Sequence, residues 1–160
     1  MAAIFIRLCA VLAAYALAIL VASLFLHMLA WPSLGFDGET PSLTARTALV
    51  VSVPLVALFI SYYAFLPASV LIALAELRPY RSWLYFAISG GLTAVSAVAL
   101  YQAMRLADID NGMPASHPAA ETLGGGIAAG MAAGIAYWLV AGRGAGRWRS
   151  RPISPGPSIS

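Results

Sequence analysis

The stretch 124–146, GGGIAAGMAAGIAYWLVAGRGAG, decides the fold, because its glycines recur every fourth residue inside an apolar segment long enough to cross a bilayer. Gly126, Gly130 and Gly134 therefore share one face of a predicted helix. Residues without side chains let two helix backbones approach closely in lipid, where packing holds helices together and hydrophobicity does not. We expect this face to pack against another helix and the bulkier opposite face to contact lipid.

The composition places the whole chain among membrane proteins. Of its 160 residues, 61% are hydrophobic and only 9% are charged, which departs strongly from the usage of soluble domains. Long apolar runs predict four transmembrane spans at about 8–31, 47–77, 83–104 and 122–142. Short connections between the spans predict an all-α, up-down-up-down bundle over residues 1–142. This leaves no length for a separate catalytic domain.

The first predicted span carries a second ridge of small residues, formed by Ala10, Ala14, Ala18 and Ala22. Their four-residue spacing puts them on one helix face, which suits close contact with the glycine face of the fourth span. A secretory signal peptide would have a shorter apolar region and a small-residue cleavage site. The longer run here ends in HMLAWPS, so we expect it to be retained as a helix.

Hydroxyl side chains are concentrated in the second and third spans. Pro54 and Pro67 in the second span remove backbone donors and predict kinks or breaks there. The hydroxyls at membrane depth belong to Ser61, Tyr62, Tyr63, Ser89, Thr93 and Ser96. Two interpretations remain open: they are satisfied by neighbouring backbone carbonyls, or they line a cavity for a neutral or lipid-like solute.

The arginines predict the orientation. If the amino end is cytoplasmic, seven arginines lie inside and only Arg46 and Arg105 lie outside, which favours two cytoplasmic termini. We expect residues 143–160 to form a flexible basic tail whose arginines anchor to anionic headgroups, namely Arg143, Arg147, Arg149 and Arg151. The arginines of the chain are spread among membrane-flanking positions and form no interleaved aromatic stacking surface, so we expect no nucleic-acid partner.

The predicted spans lack the residue types that enzymes and ion pumps place within the membrane. The chain has no lysine, and the centres of the predicted spans hold no Asp, Glu, Arg or His, whereas pumps and intramembrane hydrolases place such groups there. His27 and His117 have no ligand-like spacing. The acidic turn that begins at Asp108 has the wrong register for a calcium loop. We therefore expect no metal, no cofactor and no enzymatic activity.

These observations lead to one hypothesis and one alternative. We expect a multi-pass inner-membrane protein that acts as a non-enzymatic accessory or scaffold element, with the bilayer, other membrane proteins or a second copy as partners. The alternative is a transporter or channel for a neutral or lipid-like solute. Because the first and third spans run antiparallel to the fourth in this topology, we expect the glycine face to pack inside one bundle.

Overall fold

The computed structural model describes residues 2–31, 43–78, 80–109 and 120–145. These residues form four α-helices, which we number α1 (Ala2–Ala30), α2 (Leu43–Leu77), α3 (Trp83–Ile109) and α4 (Ala120–Val140), and a short 3₁₀ turn at Gly142–Gly144. No β-strand occurs in those ranges. The prediction of an all-helical fold is confirmed for this part of the chain.

Each of the four helices contains a segment long and apolar enough to cross a membrane: Phe5–Ala30, Arg46–Leu77, Trp83–Met104 and Leu123–Val140. The chain is therefore a multi-pass membrane protein. Some helices extend beyond the predicted spans, since α1 begins at Ala2 and α3 continues to Ile109. Hydropathy marks the apolar part of a helix, whereas the hydrogen-bonded helix continues into its polar ends.

The second helix continues without a break, although the sequence allowed for one at its two prolines. It runs for 35 residues and contains both Pro54 and Pro67. A proline removes one backbone donor and crowds the preceding turn, but the flanking residues keep their own hydrogen bonds. In lipid no water competes for the remaining backbone groups, so the helix is the best arrangement available to them.

The fourth helix is the centre of the packing. It makes extensive contacts with α3 and α1, whereas α2 makes smaller contacts with α1 and α3. A third of the apolar segment of α4 is buried (33%), compared with 11% of the segment of α2. The four helices thus surround a central space in the order α1, α4, α3, α2, with α2 held least tightly.

Small residues dominate the interior. The larger buried cluster draws on all four helices and consists of Ala14, Ala18, Ala22, Ala75, Phe86, Ala129, Ala133, Tyr137 and Ala141. Seven of these nine residues are alanine, which lets helix axes approach closely and gives dispersion contacts over long surfaces. The interior is therefore organised by close backbone approach, and its larger side chains are mostly aromatic.

Candidate functional site

The third and fourth helices meet backbone against backbone at Gly90, Gly130 and Gly134. A Cβ atom placed on Gly90 would overlap the carbonyl oxygen of Gly130, and one on Gly130 would overlap the carbonyl oxygen of Gly90. A Cβ atom on Gly134 would overlap the carbonyl oxygen of Phe86. Any larger residue at these positions would force the two helices apart. We call this contact the glycine seam.

The three glycines predicted to share one face of α4 do not all contact α3. Gly130 and Gly134 belong to the glycine seam, but a Cβ atom on Gly126 would meet no atom within 4 Å. The same is true of Gly124, one half-turn earlier. Gly126 lies instead in the wall of a central cavity, whereas Gly124 does not. The three predicted seam glycines therefore have two different environments.

The alanine ridge of α1 faces the interior. Ala14, Ala18 and Ala22 are buried, whereas Ala10 is only partly buried. The three buried residues belong to the same cluster as Ala129 and Ala133 of α4. Alanine of α1 therefore meets alanine of α4, while Gly130 and Gly134 of α4 meet α3.

A cavity of about 260 Å³ lies between the four helices. Its wall is formed mainly by small and aromatic residues, and in α4 it extends from Gly126 to Tyr137. At a rise of about 1.5 Å per residue, this part of α4 is about 16 Å long. The cavity is accordingly long and narrow, because its modest volume is distributed along several helix turns.

The predicted cavity-lining hydroxyls divide into two groups. Tyr63, Ser89 and Thr93 are in the cavity wall. The hydroxyl of Ser89 donates to the carbonyl of Phe86 (3.0 Å), and that of Thr93 donates to the carbonyl of Ser89 (2.8 Å). Both donors are thus engaged by the backbone of their own helix, which leaves the cavity wall with little hydrogen-bonding capacity for a polar solute.

The other three predicted hydroxyls lie outside the cavity wall. Ser61 Oγ donates to the hydroxyl of Tyr15 (3.4 Å), and that hydroxyl donates to the carbonyl of Ser61 (3.2 Å). Ser96 donates to the carbonyl of Leu92 (2.9 Å). Tyr62 is 69% exposed on the outer surface of α2. The six hydroxyls do not converge on one polar path.

A charged cluster joins three helices at one end of the bundle. The guanidinium of Arg7 pairs with the carboxylate of Glu76 near the end of α2 and donates to the carbonyl of Ala141 (2.9 Å) after α4. Both charged side chains are only about one-fifth exposed, at 20% and 19%. Arg7 precedes the first predicted span and Glu76 lies at the end of the second (47–77), and their pairing was not predicted from the sequence.

The start of α3 joins the same end of the bundle. The indole of Trp138 donates to the carbonyl of Arg81 (2.8 Å), and Arg81 Nε donates to the carbonyl of Ala145 (3.2 Å). The guanidinium of Arg143 lies over the Trp138 ring, 4.6 Å from its centroid, at a distance typical of a cation–π interaction. The remaining predicted lipid-anchoring residues, Arg147, Arg149 and Arg151, and most of the predicted tail lie outside the described residues.

A polar link between α1 and α2 occurs near the far end of α1. Ser23 is fully buried and donates to the carbonyl of Val53 (2.7 Å). His27 Nδ1 lies 2.8 Å from the carbonyl oxygen of Ser23, and its Nε2 lies 2.9 Å from the hydroxyl of Ser52. Both ring nitrogens of His27 therefore have protein partners. His117 lies outside the described residues, within which no cluster of three metal-ligating side chains occurs.

Replacing Ser23 with alanine should lower the free energy of unfolding by about 0.6 kcal/mol, the average for a hydrogen bond between membrane helices. The loss arises because the α1–α2 bond to Val53 disappears. Ser96→Ala is the matched control, since the Ser96 hydroxyl bonds only within α3. Unfolding in mixed micelles measures both variants, and equal effects would show that the Ser23 bond does not stabilise the pairing of α1 with α2.

Comparison of the chain with family models, with curated proteins and with solved structures gave no match. Functional inference therefore rests on the glycine seam, the cavity and the charged cluster.

Proposed function

We propose that the protein is a non-enzymatic accessory or scaffold protein of a bacterial-type inner membrane. The observation that carries this proposal is the glycine seam, in which Gly90, Gly130 and Gly134 leave no space between the backbones of α3 and α4. Helices in such contact cannot slide apart without losing their packing. A rigid membrane body of this kind suits the holding of a partner in place. The hydroxyls of Ser89, Thr93 and Ser96 bond within their own helix, which weakens the case for a polar transport path.

The proposal includes an up-down-up-down topology with both termini in the cytoplasm. Its support is the grouping of Arg7, Glu76, Arg81 and Ala141 at one end of the bundle. These residues come from the start of α1, the end of α2, the start of α3 and the end of α4. Four of the six arginines within the described residues lie at that end, namely Arg7, Arg78, Arg81 and Arg143, and arginine-rich ends of membrane helices remain in the cytoplasm.

A reporter fused after Ser160 tests this orientation. We expect a fluorescent protein that folds only in the cytoplasm to be active at this position, and alkaline phosphatase, which needs the periplasm, to be inactive. Fusions truncated after Leu34 and after Met113 are the matched controls, because both positions fall on the predicted outer side. An active phosphatase after Ser160 would overturn the topology.

Purification in a mild detergent tests the scaffold role. We expect a stoichiometric protein partner, either another membrane protein or a second copy of the chain, to remain bound to the tagged wild type. The partner should stay bound to the Gly124→Leu variant, in which the added Cβ atom meets open space. It should bind less well to the Gly130→Leu variant, which forces α3 and α4 apart. Recovery of a monomer that carries only lipid would contradict the proposal.

The second candidate function is the carriage of a lipid-like solute, and the central cavity favours it. Ligand sites in proteins are mostly apolar concave spaces, commonly placed between the helices of a bundle. The cavity fits that description, with a volume of about 260 Å³. The engaged hydroxyls of Ser89 and Thr93 argue against a neutral polar solute. The side chains of the cavity wall therefore favour an apolar solute.

A further inference from the structure

We propose that the central cavity is a binding site for one extended hydrocarbon chain of a membrane lipid, of acyl or isoprenoid type. This proposal rests on the cavity of the second candidate function but does not require transport. A bound chain is equally compatible with a scaffold, in which it would fill the space between α2 and the other helices. The proposal stands on the shape of the cavity, the chemistry of its wall and the exposure of part of its lining.

The shape of the cavity suits a chain better than a compact molecule. Along α3 the wall extends from Phe86 to Tyr101, and along α2 from Phe59 to Ile72. At about 1.5 Å per residue these segments are about 20 Å long, close to two-thirds of a bilayer core of about 30 Å. A volume of about 260 Å³ spread over that length leaves a narrow channel, which an extended chain fills and a globular solute does not.

The chemistry of the wall excludes most polar ligands. Small residues form the parts of the cavity wall that belong to α4 and α1, including Ala129 and Ala133 of α4 and Ala18 and Ala22 of α1. The hydroxyl donors of Ser89 and Thr93 are held by backbone carbonyls. No buried side-chain nitrogen or oxygen of the described residues lacks a hydrogen-bond partner. A polar ligand would therefore regain few of the hydrogen bonds that it loses with water, whereas a hydrocarbon chain has none to lose.

Aromatic side chains line one end of the cavity and its α2–α3 side. Phe86 and Tyr137 stack with ring centroids 5.5 Å apart at the end that lies toward Ala141. On the side between α2 and α3, Phe59 belongs to the wall and is also 56% exposed. It contacts Tyr101 across the two helices, with ring centroids 6.1 Å apart. The lining of the cavity therefore reaches the outward-facing surface of the bundle on this side, at membrane depth, where lipid chains are.

Two glycines of α4 provide a matched pair of variants. A Cβ atom at Gly126 or at Gly124 would meet no neighbouring atom within 4 Å, so we expect leucine to be tolerated at either position. Only Gly126 belongs to the cavity wall. Gly126→Leu should therefore fill one end of the cavity while the fold persists, and Gly124→Leu should leave the cavity open.

Photolabelling tests the proposal in the full-length protein reconstituted into phospholipid nanodiscs. The probe is hexadecanol that carries a diazirine on its chain, and the labelled residues are located by mass spectrometry. We expect saturable labelling of cavity residues such as Ala64 and Ala97, competed by unlabelled hexadecanol or by geranylgeraniol. The more effective competitor identifies the acyl or the isoprenoid type. Labelling of Leu58, which is 73% exposed on α2, should not saturate.

The two variants give the deciding comparison. We expect Gly126→Leu to abolish the saturable labelling and Gly124→Leu to retain it, while both keep the thermal unfolding temperature of the wild type. Labelling confined to outward-facing residues, or saturable labelling unaffected by Gly126→Leu, would overturn the proposal. The transport candidate is judged separately by release of the same probe from donor to acceptor vesicles. Binding without release would reject transport and leave the site intact.

Discussion

Replacing Gly130 should lower the free energy of unfolding by about 2 kcal/mol for alanine and by more than about 3 kcal/mol for leucine. The reason is the overlap of any added Cβ atom with the carbonyl oxygen of Gly90, aggravated by the Cβ atom of Ala94 at 2.8 Å. The obstacle is mainly backbone, so α3 and α4 have to separate along their whole contact. Circular dichroism during thermal unfolding in detergent measures the effect.

The control for this prediction comes from the same helix. Gly124→Leu adds the same side chain at a position with open space around it, and leucine favours the helix over glycine by several tenths of a kcal/mol. We expect Gly124→Leu to be neutral or slightly stabilising. If the two leucine variants unfold at the same temperature, the glycine seam does not hold α3 against α4.

Replacing Arg7 with alanine should lower the free energy of unfolding by about 2 kcal/mol. Loss of one partner from a fully buried ion pair costs about 3–5 kcal/mol, and loss from a fully exposed pair costs up to about 1 kcal/mol. The Arg7–Glu76 pair lies between these limits because each side chain is about one-fifth exposed, at 20% and 19%. The variant also leaves the carbonyl of Ala141 without its guanidinium donor.

Two further variants distinguish the effect of losing the ion pair from the effect of losing any positive charge at this end of the bundle. Arg78→Ala removes an exposed arginine from the same end of the bundle and should cost less than about 0.5 kcal/mol. Arg7→Ala combined with Glu76→Gln should cost less than the sum of the two single changes, because neither charge is then left unpaired. Equal losses for Arg7→Ala and Arg78→Ala would show that the pair contributes nothing specific.

The sequence contained enough information for the helices but not for their contacts. Apolar runs of sufficient length define α1 to α4, because a backbone in lipid has to satisfy its own hydrogen bonds. The continuity of α2 through Pro54 and Pro67 was not predictable, since the sequence does not show whether the residual backbone bonds outweigh the two lost donors. Hydropathy also does not mark the polar residues at which a helix ends.

The functional regions were predictable only in part. The spacing of Gly126, Gly130 and Gly134 identifies one helix face, but Gly126 lies beside the cavity because α3 follows α4 at only two of the three positions. Which helix meets that face depends on the tertiary arrangement. The Arg7–Glu76 pair joins residues 69 positions apart, and no local pattern indicates so distant a partner. The cavity is a space between helices and has no sequence signature.

The close packing of α3 against α4 within one chain is tested most directly by a disulfide between positions 91 and 131. A Cβ atom on Gly91 would lie 3.2 Å from Cγ of Met131, and a cysteine at 131 would place its sulfur at that Cγ position. With an S–S bond of about 2 Å, the distance from a Cβ atom to the far sulfur is about 3 Å. The variant carries Gly91→Cys and Met131→Cys, and Cys9→Ser removes the one native thiol.

Mild oxidation in membranes should give a disulfide inside a single chain. With a protease site inserted between residues 112 and 113, the two cleaved fragments should remain linked without reductant and separate when reductant is added. A Gly91→Cys and Leu139→Cys variant is the control and should stay reduced. Free thiols in the 91–131 variant, or a disulfide-linked dimer of twice the mass, would contradict packing of α3 against α4 within one chain.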